Sequence, residues 1–68
     1  MSIYDREIKG TRIDIYDILV AYEVTNPAIA HAVKKLLCAG ERGAKGRYQD
    51  LTEAQESIAR GLDLEAGL

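Results

Sequence analysis

Residues 22–37 read YEVTNPAIAHAVKKLL, and the fold depends on where a helix begins within them. Pro27 lacks an N–H and has its φ preset for the first helical position, and Asn26 or Thr25 can cap the orphan amides behind it. The spacing predicts a helix from Pro27 to about Cys38. Its core face is Ile29, Ala32, Val33, Leu36 and Leu37, which recur at helical intervals. The opposite face carries His31, Lys34, Lys35 and Cys38, at i, i+3, i+4 and i+7. Gly40 stands where a left-handed cap ends a helix most easily.

Outward from this helix, Ile15, Ile18, Leu19 and Tyr22 share one stripe and predict an earlier helix over about Asp14–Glu23, with Thr11 or Asp14 as its cap. Val20 and Ala21 lie off that stripe, so this helix is apolar on more than one side. After Gly40, GERGAKG holds three glycines in seven residues and reads as a basic loop. A third helix is expected to begin near Tyr48–Leu51, with Leu51, Ala54, Ile58 and Leu62 along one stripe. Its acids fall on the remaining surface and in the first turn, where the helix dipole favours them. Residues 1–12 read as an N-terminal arm, extended around REIKGTRI, and residues 13–68 as one helical domain. The expected fold is all-α: a small three-helix unit with an N-terminal arm, completed by homo-oligomerisation.

The length is the reason for expecting oligomers. A chain of 68 residues buries roughly 60% of its unfolded surface, which leaves a single core marginal. One cysteine excludes an intrachain disulfide, and one histidine with one cysteine makes a closed zinc site unfavourable, so no metal and no cofactor are expected. The free thiol fits a reducing compartment. The opening MSIYDREIKG is polar and predicts no secretory leader, and ILVAY is far too short to cross a bilayer. A cytoplasmic protein without membrane contact is the expectation.

Charge is segregated along the chain. The net value is −2, yet residues 31–47 carry five bases and one acid, whereas residues 48–68 carry Arg60 against five acids. His31, Lys34, Lys35, Arg42, Lys45 and Arg47 therefore form a candidate phosphate-binding set: lysines as point charges, arginines as forked donors. Gly43 and Gly46 are candidate backbone donors, since glycine lets the main chain approach an anion. Tyr48 and Tyr4 are candidates for stacking on a base. The competing reading is a solvated basic face paired with the acidic third helix, because exposed ion pairs contribute little and charge runs are commonly surface.

Catalysis finds little support. GERGAKGR lacks the strand and the Lys-Ser/Thr ending of a nucleotide-hydrolase phosphate loop. His31 and Cys38 lie two turns apart, roughly 10 Å by helix rise, too far for the base to activate the thiol. No enzymatic activity is expected.

Two resemblances extend these readings. YEVTNPAIAHAVKKLL resembles the turn and recognition helix of helix-turn-helix DNA-binding proteins, with Val24, Ala28, Ile29 and Val33 in the inward positions. That likeness would aim Asn26, His31 and Lys35 at a groove or backbone; Glu23 stands where those proteins usually have glycine. The longer stretch from Ile13 to Glu65 resembles a family of very small bacteriophage-encoded proteins, through its NPA–HA–KKLL, G–RG–K and DL–EA–SI–R pattern. In size and basic-loop design it is similar to phage sponges that sequester the cyclic nucleotide signals of bacterial immunity. The resemblance implies a phage anti-defence protein in the host bacterial cytoplasm. It would bind a cyclic dinucleotide or a cyclic ADP-ribose-type molecule between subunits, without cleaving it. A DNA-binding phage regulator and an inhibitor of a host protein are the alternatives.

Overall fold

The computed structural model describes residues 3–41 and 46–67. It is mostly helical, with three helices preceded by a short two-stranded hairpin. The stretch expected to be extended forms β1 (Arg6–Ile8) and β2 (Thr11–Ile13), antiparallel, with Ile8 opposite Thr11. Lys9 and Gly10 make the two-residue turn, both at positive φ (52° and 79°), the combination that a twisted hairpin requires. This strand pair is the departure from an all-α chain, and a boundary after residue 12 falls inside β2.

α1 (Ile15–Ala21) starts one residue later and stops two earlier than the pattern suggests. Asp14 caps it in a reciprocal box: the Asp17 amide donates to Asp14 Oδ1 and the Asp14 amide to Asp17 Oδ2, at 3.0 and 2.9 Å. Ile15 and Leu19 are buried, but Tyr22, expected on the same stripe, is exposed at the helix end. Glu23 follows at φ 53°, the left-handed position at which the helix-turn-helix likeness has glycine.

α2 (Pro27–Leu37) has Pro27 in its first turn and Asn26 as its cap, and α3 (Arg47–Glu65) begins just before the expected Tyr48. The two pack as an antiparallel helical hairpin. Asn26 donates to the Gly61 carbonyl at 3.1 Å and to Glu65 at 2.8 Å. Lys35 meets Glu53 halfway along, and the Gly40 amide donates to Asp50 at 2.9 Å at the far end.

The faces that meet are not the most apolar ones. α3 turns Asp50, Ala54 and Gly61 towards α2, all buried, while Leu51, Ile58 and Leu62 of the expected core stripe stay exposed. α2 buries Ala32 and Lys35, with Cys38 following as its buried C-cap, and leaves Leu36 and Leu37 exposed. The cause is close approach. A Cβ on Gly61 would lie 2.5 Å from Ile29 Cδ1, so small residues on α3 let the helices come nearer than leucines would. The buried apolar set among the described residues is only Ile15, Leu19, Ala32, Cys38 and Ala54.

Candidate functional site

The C-terminal half of α2 is where the candidate residues converge. The N-terminal segment crosses this end of the helix: the Cys38 thiol points at the Ile3 carbonyl, 3.9 Å away. Arg6 holds that segment in place by donating to the Ile3 and Asp5 carbonyls, each at 2.7 Å, and to both oxygens of Glu41 at 3.1 and 3.2 Å. Tyr4 is thereby set edge-on to Tyr16 of α1, with ring centroids 6.2 Å apart and planes at 69°. Lys34 completes the cluster, its Nζ 5.3 Å from the Tyr16 ring centre, within cation–π range. Beside it lies a depression of about 170 Å³ lined by Tyr4, Arg6, Ile13, Asp14, Ile15, Ile18 and Leu37.

This cluster joins an ammonium to two aromatic rings from three separate parts of the chain. Lys34 is half-buried and Tyr16 is half-exposed, so a ligand can reach both. The arrangement suits a phosphorylated molecule with a flat base: the lysine for the anion and a tyrosine face or edge for the ring. His31 lies one turn before Lys34 on α2 and is exposed. Its place in the chain fits a supplementary donor.

Lys35 is a correction. Expected on the solvated basic face, it is 2% exposed and forms an ion pair with Glu53 of α3. Burial of an ammonium is tolerated only with a partner, and Glu53, itself positioned by Gln49 at 3.0 Å, is that partner. Lys35 thus serves helix packing, as the competing reading of the basic face holds for this residue. Cys38 is likewise buried rather than on an open face.

The other candidates divide. Arg47 and Tyr48 open α3 and are exposed, Tyr48 at 85%. Gly46 caps that helix with no side-chain hydrogen bond, and its carbonyl accepts from the Asp50 amide. Arg42, Gly43 and Lys45 lie outside the described residues. Asp50, an acid of the first turn of α3 as expected, is fully buried; its Oδ2 accepts from Gly40, and Oδ1 has no hydrogen-bond partner among the described residues. Its position four residues before Ala54 on the small-residue stripe was the available signal.

The groove-facing set of the DNA reading is partly consumed. Asn26 accepts from the Ala28 and Ile29 amides through Oδ1 and donates to α3 through Nδ2, and Lys35 is buried. Arg6 is the residue that sequence reading left out of the site, because its role exists only once the N-terminal segment is laid over α2; Tyr16, like Tyr4, is readable as a tyrosine able to stack on a base. A second, open depression of about 560 Å³, lined by Leu19, Val20, Glu23, Val24 and Thr25, lies at the α1–α2 turn and contains no cation. Among the described residues no group of three His, Cys, Asp or Glu could hold a metal, and no helix is long and apolar enough to cross a membrane. Compared with known protein families, curated proteins and solved structures, the chain matches none.

Proposed function

We propose that this protein is a non-catalytic sponge for a phosphorylated cyclic nucleotide, of the cyclic dinucleotide or cyclic ADP-ribose type, acting for a bacteriophage in the host cytoplasm. The observation that carries the reading is the Lys34–Tyr16–Tyr4 cluster, an ammonium at 5.3 Å from one ring with a second ring edge-on. Lys34 and His31 bind phosphate in this reading, together with Arg47 and the loop cations Arg42 and Lys45. Tyr16, Tyr4 or the exposed Tyr48 stacks on a base. Lys35 leaves the binding set that the sequence suggested, because its charge is already neutralised inside the fold. Sequestration needs affinity without turnover, and convergent cations with aromatic surface supply affinity alone.

Native mass spectrometry tests this with cyclic di- and trinucleotides, cyclic ADP-ribose isomers and a short DNA duplex. The expected result is retention of one nucleotide, intact after incubation. Lys34→Glu and Tyr16→Ala should each weaken that binding by about tenfold or more, the equivalent of roughly 1.4 kcal/mol, with the circular dichroism spectrum unchanged. Equal binding by both variants would remove the cluster from the site. Capture of the duplex alone would move the assignment to a DNA-binding regulator, a reading that the left-handed Glu23 at the α1–α2 turn favours locally.

A further inference from the structure

The molecule is flat, with principal extents of 41 × 29 × 14 Å. Stable domains stack two layers over a shared core. Among the described elements the extensive helix–helix contact is that of α2 with α3, and the accessible surface of 4981 Å² exceeds the roughly 4,250 Å² expected of a compact chain of this mass. The excess is close to the ~800 Å² that each partner buries in a standard stable interface.

A stripe of uncovered apolar residues lies on one side of the α2–α3 hairpin. In α3, Leu51, Ile58 and Leu62 are turned by about a quarter of a revolution from the Asp50–Ala54–Gly61 line that meets α2. In α2, Val33 and Leu36 are turned by a similar angle, in the same sense, from Ala32 and Lys35, which are buried. Because the helices are antiparallel, equal turns in the same sense bring both stripes to the same side. The Lys35–Glu53 pair marks the opposite, polar side. Leu36, Leu51, Ile58 and Leu62 are 50, 42, 41 and 66% exposed, far more than leucine and isoleucine at helical spacing are when a core covers them.

We infer that this face is closed by a second copy of the chain, giving a two-fold dimer in which two α2–α3 hairpins stack into a four-helix bundle. The exposed stripe of α3 continues as Tyr48, Leu51, Gln55, Ile58 and Leu62, spaced 3-4-3-4, which is the seam that helix pairs use. It is centred on Gln55. Antiparallel pairing about that centre sets Tyr48 opposite Leu62, and it brings Arg47 at the basic start of α3 beside Asp63 at the acidic end of the second copy. A parallel arrangement would instead place like charges together. Charge order along the helix therefore selects a self-complementary, isologous contact. This dimer does not depend on the nucleotide reading, but it takes Tyr48 and Arg47 into the contact and leaves Lys34, Tyr16 and Tyr4 for a ligand.

Light scattering on the full chain at about 100 µM should return twice the 7.5 kDa chain mass, or a higher even multiple built from that pair. Leu62→Glu should halve the wild-type pair, while Glu56→Lys, on the polar side, should leave it unchanged. Mild oxidation should link Gln55→Cys chains covalently across the two-fold and leave Glu56→Cys chains single, a result that does not depend on an acidic variant remaining folded. A monomeric wild type, a Leu62→Glu dimer, or equal cross-linking of the two cysteine variants would each overturn the inference.

Discussion

Lys35 shows how one residue changes meaning between sequence and fold. Its neighbours in the chain are basic or apolar, and nothing adjacent suggests that its partner is Glu53, eighteen positions on. Once buried, the ammonium depends on that carboxylate, so the two members of the pair should respond differently to removal. Glu53→Ala leaves an uncompensated charge and should cost about 3 kcal/mol, at the lower end for a broken buried pair because Glu53 is 26% exposed on its side chain. Lys35→Met removes the charge while keeping the stem, and should stay within about 1 kcal/mol of the wild type. Urea unfolding of both variants measures the difference. Charge reversal at Lys35 consequently reports on folding, and Lys34→Glu is the substitution that probes ligand binding.

At the scale of elements, caps and turns were legible and contact faces only in part: Ala32 and Ala54 of the expected stripes are buried, whereas Leu36, Leu51, Ile58 and Leu62 are not. Asp14, Asn26, Pro27 and Gly40 act through their own backbone and the next few residues, so local chemistry was enough to place α1 and α2. The α2–α3 contact was misread because hydrophobic spacing marks the face with the most to gain from burial, whereas the helices meet where Gly61 allows close approach. Gly61→Ala should therefore destabilise by about 1–3 kcal/mol, since its Cβ would meet Ile29 Cδ1 at 2.5 Å. Adding Ile29→Val removes that methyl group, and the double variant should recover part of the loss in a thermodynamic cycle. The opposite sign is expected at the α1–α2 turn. Glu23 sits at φ 53°, a conformation costing about 1–2 kcal/mol outside glycine. Glu23→Gly should raise stability, by less than about 1 kcal/mol after the entropy that glycine adds to the unfolded chain, read as a higher melting temperature.

At the scale of the molecule, a chain of 68 residues is flat, 14 Å in its shortest extent, and covers little of its apolar surface. If a second copy covers the apolar side, the melting temperature should rise with protein concentration, because association draws the equilibrium towards the folded state. Calorimetry between about 10 and 500 µM shows the trend, and Leu62→Glu should abolish it. The sequence by itself determined the number of helices among the described residues, held the caps of α1 and α2 among its candidates, and marked the basic segment. These depend on residues close together in the chain, or on length and composition. Only the tertiary structure decided that Lys35 is spent on Glu53, that Tyr4, Tyr16 and Lys34 form one cluster, and that the leucine stripe of α3 faces outward. Each of these joins residues from separate elements, and the rotation of a helix about its axis is set by how closely two backbones can approach.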